Sequence, residues 1–231
     1  MSRDLRRPPR ANTIQGDAAL SEPLREIPGP AGRLEALLDA PGGTPRAGVV
    51  FAHPLPIEGG TMHTKVVFQS AKAMARIGCA VLRFNFRGVG RSAGTWDDGR
   101  GERDDFRAAL DFAAGRYPGL QMWAAGFSFG SHIAMTVGAE DQRVCTLIGI
   151  APPVNKYDFS TAEASAKPKF LVHGIEDELI PLKAVRECYA RMADPKELVE
   201  IDRANHLFDG QAAEVGEALE ELLQDFSCAT P

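Results

Sequence analysis

From Leu24 onward, short apolar runs bounded by Gly and Pro alternate with longer stretches in which apolar residues recur every three or four positions. This alternation constrains the fold more than any other feature, because parallel strands need long crossovers and amphipathic helices supply them. Strands are expected at 24–27, 34–39, 48–52, 80–85, 120–125, 144–150, 169–172 and 198–201. The first two, joined by the turn-rich residues 28–32, are close enough for an antiparallel pair. Val49, Val50 and Phe51, then Val81 and Leu82, run almost continuously apolar, as strands covered on both faces do. Leu182, Val185, Tyr189 and Met192 make one helical stripe, and Val215, Leu219, Leu222, Leu223 and Phe226 make another. Both read as faces packed on a core. The expectation is an α/β fold, with a mostly parallel central sheet of about eight strands and helices on both faces. Residues 1–21 lack any period and are expected to form a flexible tail, with 22–231 as a single domain.

Charge narrows the partners. A net charge of -5 leaves no surplus for the concentrated basic face that nucleic acid requires, so small neutral substrates are expected instead. Arg3, Arg6, Arg7 and Arg10 are followed by polar residues rather than a signal-peptide core, and no segment is apolar enough to span a membrane. Cys79, Cys145, Cys188 and Cys228 are scattered without a CxxC pair and read as reduced thiols, which fits a cytoplasmic enzyme. The five histidines share no ligand spacing with one another or with the cysteines, so no metal is expected. The glycine-rich stretches 85–90 and 97–102 match neither a P-loop nor a dinucleotide fingerprint. They read as tight turns, with Arg87, Glu102 and Asp105 in ion pairs and a helix cap, and no cofactor is expected.

Gly126-Phe127-Ser128-Phe129-Gly130 is a G-x-S-x-G placed between an apolar strand and a helical pattern beginning near Ser131. A strand that turns directly into a helix forces the serine into a strained conformation and leaves no room for side chains at either glycine. The hydroxyl is thereby lifted to the sheet edge, beside the positive end of the helix. Ser128 could otherwise serve only to cap that helix.

A serine hydroxyl is a weak nucleophile unless a base takes its proton. His53 and His173 end strands, where histidines commonly make structural hydrogen bonds; His132 lies one turn into the helix after Ser128, and His63 lies at a helix start. His206 follows the last strand in the loop Asp202 to Phe208 and is the candidate base. Its carboxylate partner is sought after the strand at 169–172, where Glu176, Asp177 and Glu178 stand together. Parallel strands bring their carboxyl ends to one edge, which is where open α/β sheets place active sites.

These residues resemble the α/β-hydrolase superfamily, in which the triad runs Ser, Asp, His along the chain; the resemblance selects Asp177. Further segments resemble a small, lidless bacterial branch of predicted hydrolases and esterases. That branch carries His-Pro-His-Pro followed by Gly-Gly-Thr-Met, and the corresponding stretch is His53-Pro-Leu-Pro-Ile-Glu-Gly-Gly-Thr-Met62. The run Leu82 to Ser92 and the loop Asp97 to Glu102 match two more of its motifs, and the similarity extends over nearly everything from Leu24. Leu55 stands where the branch has a second histidine, and His63-Thr64 replaces an Asp-Asn pair. The resemblance implies an oxyanion hole made by the amide of Phe129 and one from the loop after the third strand. Pro54 and Pro56 have no N–H, which leaves Leu55. It also implies little or no cap domain, for only residues 151–166 are available to cover the site.

The expected activity is hydrolysis of small, short-acyl esters by Ser128, His206 and Asp177, with Val154, Leu179 and Ile180 as the apolar pocket wall. Peptidase, thioesterase, lactonase or acyltransferase chemistry on the same residues stays open. So does a binding module that keeps the fold without turnover. The oligomeric state is left open.

Overall fold

The computed structural model describes residues 24–228. The tail expected at 1–21 lies outside the described residues. Eight strands form one sheet: β1 (Glu26–Gly29), β2 (Gly32–Asp39), β3 (Ala47–Ala52), β4 (Cys79–Phe84), β5 (Met122–Phe127), β6 (Val144–Ile150), β7 (Lys169–Gly174) and β8 (Lys196–Ile201). Their order is β1-β2-β4-β3-β5-β6-β7-β8, with β1 antiparallel to β2, β2 antiparallel to β4 and every other pair parallel. The helices are α1 (Lys65–Arg76), α2 (Arg100–Arg116), α3 (Phe129–Glu140), α4 (Ser160–Ala164), α5 (Leu182–Arg191) and α6 (Ala212–Leu223). The α/β fold expected from the alternation is the one observed.

Period two in the central strands divides the core. Val50 and Ala52 of β3 face one way, into a cluster with Phe106 and Leu110 of α2, Ile133 and Ala134 of α3, and Cys188 of α5. Val49 and Phe51 face the other way, into a cluster with Val67 and Met74 of α1 and Val215, Leu219 and Leu223 of α6. Both faces of β3 are buried, which is why the strand carries no polar alternation.

Several expectations shift, among them β1, which spans Glu26–Gly29 rather than 24–27. β5 runs to Phe127, two residues beyond the expected end, because Ala52 pairs with Gly126 and Ile150 with Phe127, so the ladder continues to the nucleophile. The reading of four reduced thiols is corrected: Cys145 is joined to Cys228 by a disulfide with Cα atoms 6.1 Å apart, while Cys79 and Cys188 are free and buried. The pair is 83 residues apart in sequence and meets because Phe226, beyond α6, packs its ring on Trp123 and Phe170. No spacing rule contains that event. Among the described residues, no helix is long and apolar enough to cross a membrane, and no group of three His, Cys, Asp or Glu stands ready for a metal ion.

Candidate active site

Ser128 occupies the single residue between β5 and α3, with φ 51° and ψ −123°. L-residues seldom adopt this conformation, and it persists only where the surroundings impose it. Its N–H donates to the Ile150 carbonyl at 2.8 Å, and its own carbonyl accepts from the Ser131 hydroxyl at 2.6 Å. A Cβ on Gly126 would lie 2.6 Å from the Ser131 nitrogen, and one on Gly130 would lie 2.6 Å from the Ala52 carbonyl carbon. Only glycine lets strand, serine and helix approach this closely.

The Ser128 Oγ is 2.9 Å from His206 Nε2, and His206 Nδ1 is 2.7 Å from Asp177 Oδ2. Since an ionised carboxylate can only accept, the imidazole proton is at Nδ1, and Nε2 is free to accept from the serine hydroxyl. Backbone bonds bring these loops together: Ile175 N–H donates to the Ile201 carbonyl and Glu176 N–H to the Ala204 carbonyl, each at 3.0 Å. The loop carrying the histidine is thus tied to the one carrying the aspartate.

Asp177 Oδ1 accepts from the N–H groups of Leu179 at 2.9 Å and Ile180 at 2.8 Å. Burial pushes the Asp177 carboxyl up, but the hydrogen bond and charge of His206, the Ile180 amide and His173 outweigh it, and the group is held below its ordinary value. Glu176 is exposed and Glu178 points elsewhere, its Oε2 accepting from the His206 backbone N–H at 3.3 Å. Of the three acidic neighbours, Asp177 alone meets the imidazole ring.

Phe129 begins α3, so its N–H lacks an intrahelical acceptor, and Leu55 stands between two prolines. Among the described residues, neither amide donates to a protein acceptor. Both residues line the cavity that contains Ser128 and His206, whose volume is about 470 Å³. His53 anchors this loop: its Nδ1–H donates to the Pro54 carbonyl at 2.7 Å, and its Nε2 accepts from Phe86 N–H at 3.0 Å. Burial pushes the His53 pKa down to about 4, against the Pro54 bond, so the ring is neutral near pH 7.

Of the expected pocket wall, Leu179 and Ile180 line the cavity and Val154 does not. Val154 is partly buried against the apolar cluster beneath α2 and α3, and the same segment contributes Pro153, Lys156 and Tyr157 to the cavity instead. The proline turn after β6 rotates the segment, with Val154 N–H donating to Pro152 and Tyr157 N–H to Pro153. Glu58, Glu178 and Leu207 also line the cavity. Leu207 could have been suspected from adjacency to His206; the others carry no sequence signal.

The glycine-rich loop has the expected structural role. Glu102 accepts from the N–H groups of Asp97 at 3.1 Å and Gly99 at 2.8 Å, and Arg87 forms a paired contact with buried Asp105. The loop props Trp96 edge-on against Phe129, with ring centroids 5.2 Å apart. His132 stacks on Tyr157 at 4.7 Å, and His63 is exposed before α1.

Strand order, the strained serine between β5 and α3, and the hydrogen-bonded Ser, His and Asp together define the α/β-hydrolase class. Residues 43–159 match the family model described as "Serine aminopeptidase, S33". The chain is 35% identical over 205 residues to the uncharacterized protein RP471 of Rickettsia prowazekii (strain Madrid E), covering 84% of this chain and 86% of that one. An alpha-beta serine hydrolase homologue from Coxiella burnetii superposes with TM-score 0.82 at 38% identity, over 86% of this chain and 95% of that chain. XC6422 from Xanthomonas campestris, a serine hydrolase without lid, does so with TM-score 0.82 at 34% identity, over 89% and 95%. The chain belongs to this family, within the α/β-hydrolase superfamily. Between β6 and β7 the chain has only the five-residue α4, too little to form a cap domain.

Proposed function

We propose that this protein hydrolyses small, short-acyl esters through a covalent acyl-enzyme. One observation carries the reading: the unbroken series Ser128 Oγ, His206 Nε2, His206 Nδ1 and Asp177 Oδ2, at 2.9 and 2.7 Å. In this mechanism Ser128 Oγ attacks the carbonyl carbon as His206 Nε2 takes its proton, and ionised Asp177 stabilises the imidazolium without itself accepting the proton. The amides of Leu55 and Phe129 hold the oxyanion, supported by the positive end of α3. The ester C–O bond then breaks as His206 returns the proton to the departing alcohol. Water, deprotonated by the same nitrogen, releases the acid and restores Ser128.

The cavity volume of about 470 Å³, with Leu55, Leu179, Ile180 and Leu207 among its walls, suits a small apolar acyl group. No nucleic-acid or membrane partner forms part of this proposal. Cytoplasmic residence does, and the Cys145–Cys228 bridge is the observation against it, since reducing compartments keep such thiols reduced. Thiol trapping in fresh cell lysate decides the matter: a bridge already formed there would refute cytoplasmic residence.

A second reading is favoured by Glu58 and Glu178 on the cavity wall, whose carboxylates suit the free amine of a peptide, and by the aminopeptidase description of the family. Labelling with a fluorophosphonate comes first, with mass-spectrometric localisation of the adduct. An adduct on Ser128 is expected, and its absence would leave only a binding module. A panel of short esters, thioesters, lactones and aminoacyl amides then separates the activities. Faster turnover of amides than of short esters would replace the esterase reading with the peptidase one.

A further inference from the structure

A second histidine stands against the carboxylate of the triad. His173, in β7, is buried, and its Nε2 lies 2.9 Å from the Ile180 carbonyl oxygen and 3.7 Å from Asp177 Oδ2. A ring nitrogen facing a carbonyl oxygen at hydrogen-bond distance must carry the proton, which makes this the Nε2–H tautomer. Among the described residues Nδ1 has no partner. Burial pushes the His173 pKa down against the pull of the Ile180 carbonyl, Asp177 and Glu200, and His206 adds to the depression, so the ring is neutral.

Packing alone does not account for an imidazole here. A buried ring nitrogen left without a partner is destabilising, a cost that an apolar side chain of similar size would avoid. What the imidazole supplies is one N–H aimed at Ile180. That residue is then held at both polar groups: its N–H donates to Asp177 Oδ1, and its carbonyl accepts from His173. The turn from Asp177 to Ile180 has little freedom to rotate, and with Oδ1 occupied by two amides, Oδ2 faces His206.

We propose that His173 is a positioning residue of the triad, which clamps Ile180 through its Nε2–H and so keeps Asp177 Oδ2 directed at His206 Nδ1. The inference rests on the serine-hydrolase reading above. It makes the triad a four-residue device in which the fourth member touches neither substrate nor serine. Ile180 also lines the cavity, so the same clamp fixes a piece of the pocket wall.

Glutamine can place an N–H where His173 Nε2 is, whereas asparagine is too short and reaches only the Nδ1 position. In the full chain, His173→Gln is expected to keep kcat within about threefold of wild type, and His173→Asn to lower it by about 30- to 100-fold with KM within about twofold. The rate of fluorophosphonate labelling at Ser128 should fall in parallel. In an Asp177→Asn background, His173→Asn should cost less than about threefold more, because the residue it acts through is already disabled. Equal kcat in the folded Gln and Asn variants, or full additivity with Asp177→Asn, would overturn the positioning role while leaving the hydrolase standing. A wild-type protein that neither labels nor turns over any ester, thioester, lactone or amide would overturn the hydrolase reading itself and this inference with it. A circular-dichroism melt of each variant identifies a folding defect, and where Asn fails to fold, the Gln variant still decides: a kcat down by more than about tenfold refutes the clamp.

Discussion

Gly130→Ala tests whether the close approach of α3 to β3 sets the geometry of the site. An added Cβ would lie 2.6 Å from the Ala52 carbonyl carbon and nearer still to the carbonyl oxygens of Ala52 and His53. All three are backbone atoms, so no side chain can swing aside. To bring the nearest of these atoms to ordinary contact at 3.4 Å, the start of α3 and residues 52–53 must part by about 1 Å. That gap opens between Phe129 and the loop carrying Leu55, the two amides assigned to the oxyanion. Overpacking of this kind costs ~1–3 kcal/mol, so the urea midpoint is expected to fall. A displacement near 1 Å at a catalytic group costs ~100-fold in rate, and the loss should appear in kcat on a short ester more than in KM. Gly115→Ala is the control: it sits exposed in α2 with nothing within 4 Å of a built Cβ, and should stabilise by ~0.5–1 kcal/mol without touching the rate. Should Gly130→Ala unfold at the wild-type midpoint and retain kcat within about twofold, the steric account of the elbow is wrong.

His206→Ala is expected to lower kcat by at least ~1000-fold with the urea midpoint little changed; a loss near tenfold would mean another base serves. Stability should decline as pH falls from about 6.5 toward about 4, because burial pushes the pKa values of His53 and His132 down to about 4, well below the ordinary histidine value. The unfolded chain binds those protons first, so their contribution is complete above pH 6.5 and lost as pH drops toward the folded values. His132→Phe, which keeps the ring against Tyr157, should make that slope shallower in urea titrations run at several pH values; an unchanged slope would refute the assignment. Cys145→Ser opens a closure spanning 83 residues and should cost ~2–4 kcal/mol in unfolding free energy. Cys145 lies near the start of β6, at the opposite end from Ile150 and Ser128, so the labelling rate at Ser128 should not move.

Much of the site was legible because its signals are local. The glycines flanking Ser128 record a steric demand between neighbours in sequence, and the placement of Asp177 and His206 after β7 and β8 follows from the parallel direction of those strands. Selecting Asp177 over Glu176 and Glu178 needed the family resemblance, since all three share a turn; the structure separates them by side-chain direction. Val154 was misplaced for a related reason. Its apolarity suits a pocket wall and a core equally, and the turn at Pro152 and Pro153 decides between them.

The amino-acid sequence by itself determined the alternation of strands and helices, the strained turn that presents Ser128, and the chain order of nucleophile, acid and base. These depend on period and on steric exclusion between adjacent residues, which the chain carries wherever it goes. Only the tertiary structure decided that Cys145 meets Cys228, that Tyr157 and Lys156 line the cavity in place of Val154, and that His173 reaches Ile180 beside the triad. Each depends on which way a side chain points once distant segments have packed, and that direction is set by the packing rather than by the residue.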